Sequence, residues 1–60
     1  MKRRELLRKL QHEGCFLVRS GSNHEIYVNP KTGIKQQVPR HSEIDEHLAG
    51  HILRYLGLEQ

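Results

Sequence analysis

Two short turn segments divide the middle of the chain and restrict its possible folds more than any other part of the sequence. Residues 20–23 read Ser-Gly-Ser-Asn, and residues 29–33 read Asn-Pro-Lys-Thr-Gly. These residue types favour turns because they adopt positive φ angles or form local side-chain hydrogen bonds. Both segments are too short to contain a helix. The runs of residues around them are therefore predicted to be strands joined by hairpins.

Three runs of strand-forming residues border these turns, at residues 15–18, 24–28 and 34–38. Apolar, β-branched and aromatic side chains recur in them, which is typical of strands. Pro39 ends the third run, because proline has no N–H group to donate to the hydrogen bonds between strands. The sequence therefore predicts a three-stranded antiparallel sheet.

A first helix is predicted over residues 3–13, before the strands. Leu6, Leu7 and Leu10 fall on one narrow apolar face of this helix, and charged residues occupy the opposite face. Gly14 follows at the position where a residue with positive φ commonly closes a helix.

A second helix is predicted after the strands, with either Ser42 or Asp45 as its N-terminal cap. Gly57 is predicted to close it. Apolar residues recur mainly at steps of four in this segment, at Ile44, Leu48, Ile52 and Leu56, with Ala49, Leu53 and Tyr55 beside them.

The predicted order is α-β-β-β-α, an α+β fold in a single domain over residues 1–60. Both helices are expected on one face of the sheet, which leaves the other face open. Double-stranded RNA-binding domains have this architecture, but a fold alone does not define a function. A 60-residue chain with one cysteine can form no internal disulfide. Such small domains are only marginally stable, so a partner is expected.

Charge and hydropathy limit the classes of function. The chain carries ten Lys and Arg against seven Asp and Glu, a net charge of +3, and five of the basic residues fall within the first nine positions. This excess favours polyanions without demonstrating nucleic-acid binding. The sequence contains no run long and apolar enough for a signal peptide or a membrane span. With one unpaired cysteine, a cytoplasmic location is expected.

Several short motifs follow one another between residues 14 and 58: Gly14 after a basic helix, Val18-Arg19, Gly21-Ser22-Asn23-His24, Val38-Pro39-Arg40-His41, and Ile52-Leu53-Arg54-Tyr55-Leu56-Gly57-Leu58. In order and spacing they resemble the HicA toxins, over roughly residues 5–58. The chain departs from that family at two positions. Many members have an aromatic residue where this chain has Cys15, and many have serine where Asn23 precedes the histidine.

The resemblance implies the toxin of a type II toxin–antitoxin system, a metal-independent endoribonuclease that cuts messenger RNA. It also implies a HicB-type antitoxin as partner, in a hetero-oligomer. The catalytic histidine of the family follows a small-residue turn at the start of the second strand, a position that His24 occupies here. No metal or other cofactor is expected.

Histidine suits this chemistry because its pKa of about 6.5 allows proton exchange near neutral pH. RNA supplies its own nucleophile, the 2′-hydroxyl, so the enzyme must move protons and stabilise charge on the phosphate. Basic side chains and N–H groups near the turn are the candidates for binding that phosphate: Arg19, Lys35, Arg40, Ser22 and Asn23.

Two further histidine positions allow more than one interpretation. His41 could donate a proton to the leaving group, or it could form a hydrogen bond with the backbone of its loop. His47 and His51 have the spacing of a two-histidine metal site, but solvated helix residues are the preferred interpretation, because the sequence shows no cysteine pair and no catalytic Glu between them.

Two other functions remain open at this stage. A non-catalytic RNA-binding module of the same fold would bind RNA in a salt-dependent way without cutting it. A domain that only binds other proteins would do neither.

Overall fold

The computed structural model describes residues 1–58 and confirms the predicted α+β topology. In chain order the elements are α1 (Arg3–His12), β1 (Phe16–Ser20), β2 (His24–Asn29), β3 (Ile34–Pro39) and α2 (Glu46–Tyr55). The three strands form one antiparallel sheet in the order β1-β2-β3. The central strand is therefore β2, which begins at the first turn and ends at the second.

The end of α1 explains why β1 begins later than predicted. The N–H groups of Gly14 and Cys15 donate to the carbonyls of Gln11 and Leu10, and Gly14 has a φ of +92°. This double hydrogen bond with a left-handed glycine is a common way to close a helix. It places Cys15 at the helix end rather than in the strand predicted over residues 15–18.

Strand β1 also extends further than predicted. Arg19 and Ser20 pair with Ile26 and Glu25 of β2, and the register shifts between Leu17 and Arg19. Ser20 therefore belongs to the strand rather than to the turn. The shift is a β-bulge, which bends the strand and strengthens its twist.

The hydrophobic core lies between the two helices and one face of the sheet. Tyr27 and Val38 come from the sheet, and they pack against buried residues of both helices and the segments beside them, namely Leu6, Leu10, Cys15, Ile44, Ala49, Ile52 and Leu56. Because side chains alternate along a strand, Ile26 and Val28 point to the opposite face of the sheet. The predicted placement of both helices on one face is confirmed.

Leu48 departs from the predicted apolar stripe of the second helix. Its side chain is exposed, whereas Ile44, Ile52 and Leu56 are buried. Ile44 lies before the helix begins, so a regular step of four does not apply across the whole segment. The buried face of α2 runs through Ala49 and Ile52 to Leu56, the residue directly after the helix, and Leu48 lies at the edge of this face.

The residue that caps α2 is Asp45. Its carboxylate accepts hydrogen bonds from the N–H groups of His47, at 3.0 Å, and Leu48, at 3.3 Å. Ser42, the other candidate cap, instead uses its backbone carbonyl to accept from the N–H of Arg3. At the other end of the helix, Gly57 has a φ of +80° and closes α2 as predicted. Within residues 1–58, no helix is long and apolar enough to cross a membrane.

Candidate active site

His24 is the first residue of β2 and directly follows the turn at residues 21–23. Its backbone carbonyl accepts from the N–H of Gly21 at 2.9 Å, which closes the turn. It pairs with Pro39 on β3. The imidazole is half-buried, so it is held by its surroundings and still reachable from solvent.

An open cleft of about 380 Å³ includes His24. The other lining residues come from the turn, from β3 and from α2: Asn23, Gln36, Gln37, Pro39, Leu48 and His51. None of these residues is acidic, and three carry side-chain amides that can both donate and accept hydrogen bonds. We refer to this cleft as the His24 cleft.

Arg40 holds the turn that leads into His24. One terminal nitrogen of its guanidinium donates to Ser20 Oγ and to the Gly21 carbonyl, both at 2.9 Å. The backbone N–H of Arg40 donates to the Asn23 carbonyl at 3.3 Å. The chain directly after β3 therefore contacts both ends of the turn. Arg40 was one of the candidates for phosphate binding, and in the structure its guanidinium contacts the turn.

Glu25 anchors this arrangement from the helix side of the sheet. Its carboxylate pairs with the guanidinium of Arg3 on α1 and lies 3.6 Å from that of Arg40. The Glu25 side chain is only 14% exposed, and both arginines offset the cost of burying its charge. Arg3 Nε also donates to the Pro39 carbonyl at 2.7 Å. The contacts of Arg3, Glu25 and Arg40 thus link α1, the turn and the end of β3 next to His24.

Arg19 and Lys35 lie in a separate depression on the sheet. It has a volume of about 410 Å³ and is also lined by Ile26, Gln36 and Gln37. The two glutamines line the His24 cleft as well, so the depressions are neighbours. Neither Arg19 nor Lys35 lines the His24 cleft itself.

Ser22 and His41 lie outside the His24 cleft, although both were candidates. Both residues are exposed. In the part of the chain that the structure describes, neither side chain makes a hydrogen bond, so His41 does not form the contact with its loop backbone that was one of its two interpretations. Asn23, by contrast, lines the cleft beside His24.

His51 lines the cleft with His24, although its position in the sequence did not indicate a catalytic or substrate-binding residue. Its ring lies 4.8 Å from the ring of Tyr55, one helical turn further on. His47 faces a different depression. Among residues 1–58, no three His, Cys, Asp or Glu side chains are grouped closely enough to hold a metal ion. The spacing of four within the helix could not show which histidine approaches the sheet.

Two other residues with reactive or aromatic side chains lie in the core. Burial raises the pKa of the Cys15 thiol and of the Tyr27 phenol, and a neighbouring glutamate raises each of them further. Tyr27 is 5% exposed, so it is a packing residue of the sheet and offers no face on which a base could stack.

The comparison with protein families gives a match that covers nearly the whole chain. The sequence model described as "HicA toxin of bacterial toxin-antitoxin" matches residues 3–58. No curated protein and no solved structure matches the chain significantly.

Proposed function

The chain belongs to the HicA family of bacterial toxins of toxin–antitoxin systems, and on that premise we propose that it is an endoribonuclease that cuts messenger RNA in the cytoplasm. The observation that carries the proposal is the His24 cleft. A half-buried imidazole lines this cleft together with a second histidine and three amide side chains, and none of the lining residues carries a carboxylate. A carboxylate would repel the phosphate of RNA, so its absence from this lining suits a phosphodiester substrate.

The proposed reaction needs no group from outside the RNA and the protein. His24 takes the proton of a 2′-hydroxyl, and the 2′ oxygen forms a bond to the adjacent phosphorus. The bond from phosphorus to the 5′ oxygen breaks, and an acid gives that oxygen a proton. The products are a 2′,3′-cyclic phosphate and a 5′-hydroxyl. The side-chain amides of Asn23, Gln36 and Gln37 supply donors for the phosphate oxygens as charge develops on them.

His51 is the best-placed candidate for the acid. It shares the His24 cleft, and it comes from a different element, so the two imidazoles can approach the phosphate from two sides. His41 lies outside this cleft, which makes it the weaker candidate.

The test of the proposed function is cleavage of a defined RNA by purified protein in excess chelator. His24→Ala is expected to reduce the rate by at least about 100-fold, because a positioned acid or base typically contributes 10²–10⁴-fold. His47→Ala is the matched control, since it removes an exposed histidine outside the cleft. Detection of the cyclic phosphate at the new 3′ end identifies the reaction.

Two outcomes would contradict the proposal. If the parent binds RNA in a salt-dependent way and leaves it intact, the protein is a non-catalytic RNA-binding module. If His24→Ala cuts RNA as fast as the parent, the assignment of His24 is wrong.

The role of His51 is tested by the pH dependence of cleavage. An acid must carry its proton to act, so its deprotonation produces the decline of the rate on the alkaline side of the profile. His51→Ala is expected to cut about 10- to 100-fold more slowly and to lose that alkaline decline. If the pH profile of the variant keeps the shape of the parent profile, whatever the absolute rate of cleavage, His51 is not the acid.

We further propose that a HicB-type antitoxin binds the protein and holds it inactive in a hetero-oligomer. Membership of a toxin–antitoxin family supports an antitoxin partner. Expression of the chain alone is expected to arrest growth. Co-expression of the antitoxin is expected to restore growth, and the antitoxin should co-purify with the chain. His24→Ala, expressed alone, should be harmless and should still bind the antitoxin.

A further inference from the structure

A second cleft, of about 390 Å³, lies between the start of α1 and the segment that follows β3. Its lining residues are Lys2, Arg3, Arg4, Leu7, Arg40, Ser42 and Glu43. Four of the seven are basic and one is acidic. We refer to it as the basic cleft.

Two of the four cations are held in place by contacts within the fold. Arg3 is fixed by Glu25 and by the Pro39 carbonyl, and Arg40 is fixed by the turn before His24. The other two, Lys2 and Arg4, are exposed, and neither side chain forms an ion pair within residues 1–58. The cleft therefore combines fixed positive charge with two cations that are available to a ligand.

The basic cleft lies next to the His24 turn. Arg40 lines the cleft, and its guanidinium contacts the Gly21 carbonyl at the start of that turn. At the other end of β3, Lys35 shares its depression with Gln36 and Gln37 of the His24 cleft. Positive charge is thus present at both ends of β3, and the His24 cleft lies between the basic cleft and the depression that contains Lys35.

We propose that the basic cleft binds phosphodiester groups of the RNA strand on one side of the cleavage position. The inference rests on the proposed function, since it assigns a second contact to the same substrate. A phosphodiester chain is the ligand that fits best, because each phosphate carries one negative charge and guanidinium groups can contact two of its oxygens at once. A strand that follows β3 would meet Lys2 and Arg4 after it leaves the His24 cleft.

The test compares two double variants with the same change in charge. Lys2→Gln with Arg4→Gln removes the free cations of the basic cleft. Arg8→Gln with Lys31→Gln removes two exposed cations that line neither cleft. Binding is measured in the His24→Ala background, by fluorescence anisotropy with a labelled 12-nucleotide single-stranded RNA at several salt concentrations.

The basic-cleft variant is expected to bind the 12-nucleotide RNA about tenfold or more weakly at low salt. The slope of log K against log salt should become shallower by about 1.4, because each phosphate contact on a single strand contributes about 0.7. The control pair should change the slope little. With His24 restored, the basic-cleft variant should cut the 12-nucleotide RNA more slowly and cut a dinucleotide as fast as the parent does.

Other results would overturn the inference. If the parent cuts RNA and the basic-cleft variant keeps the same affinity and salt slope, the cleft does not bind the substrate, and the proposed function stands. If that variant keeps RNA binding but loses its antitoxin, the cleft binds an acidic protein segment instead. If the parent neither binds nor cuts RNA, the proposed function itself fails.

Discussion

At the residue scale, the ion pairs of Glu25 show that a basic side chain near the site is not always available to bind a substrate. Arg3 and Arg40 both pair with this largely buried carboxylate, and both also donate to backbone carbonyls near His24. Much of their hydrogen-bonding capacity is therefore used within the fold. Among residues 1–58, the side chains of Lys2 and Arg4 have no such partners, so they contribute more available charge to a ligand than the arginines beside them.

Cys15 provides a prediction at the same scale, because burial raises the pKa of its thiol. In the unfolded chain the thiol loses its proton at about pH 8.5. The folded state keeps that proton to higher pH, so the contribution of Cys15 to stability is complete below about pH 8.5 and declines as the pH rises. The expected result is a free energy of unfolding that falls as the pH rises above about 8.5.

Cys15→Ala should remove this part of the decline. The buried Tyr27 causes a further decline in the free energy of unfolding above about pH 10, because burial also raises the pKa of that phenol. This decline should remain in the variant. Urea unfolding at a series of pH values measures both effects. Parallel curves for parent and variant between pH 8 and 10 would contradict the prediction.

At the scale of the element, the start of α2 depends on one capping side chain. The Asp45 carboxylate accepts from two N–H groups that have no partner within the helix. Asp45→Ala is therefore expected to lower the free energy of unfolding by about 1 kcal/mol. For a domain of this size, that corresponds to a fall in Tm of roughly 4–8 °C.

Ser42→Ala is the matched control for this prediction. Ser42 is the other residue that the sequence offered as a cap, and its contact with Arg3 uses only the backbone carbonyl. The expected change in its Tm is within the error of the measurement. Equal losses in the two variants would show that the Asp45 hydrogen bonds do not stabilise the helix.

At the scale of the whole molecule, Asn29 connects the second turn to the end of α2. It is 3% exposed, its side-chain N–H₂ donates to the Leu56 carbonyl at 2.6 Å, and its side-chain oxygen accepts from the N–H of Lys31. Asn29→Ala leaves a buried carbonyl and a backbone N–H without partners. The expected loss is about 1–3 kcal/mol in the free energy of unfolding.

The control for Asn29 is Asn23→Ala, which truncates the same type of side chain on the surface. The Asn23 side chain is exposed, and only its backbone carbonyl takes part in the contact with Arg40. Its stability should match that of the parent in thermal unfolding. If Asn29→Ala is as stable as Asn23→Ala, the connection between the hairpin and α2 contributes nothing to the fold.

The order and type of the five elements could be predicted from the sequence because they depend on local chemistry. Turn residues at 21–23 and 30–33 separate the strands, and glycines at 14 and 57 adopt the positive φ that closes each helix. The position of His24 at the start of β2 follows from the first turn for the same reason. These features depend on neighbours only a few residues apart, and the sequence shows such neighbours directly.

Contacts between distant segments were decided only by the tertiary structure. His51 reaches the His24 cleft because α2 packs against β3, and Arg40 contacts the first turn because β3 pairs with β2. Leu48 is exposed at this cleft although its spacing predicted burial. The sequence gives the period of a helix face, but its exact rotation against the sheet depends on how all the core side chains pack together.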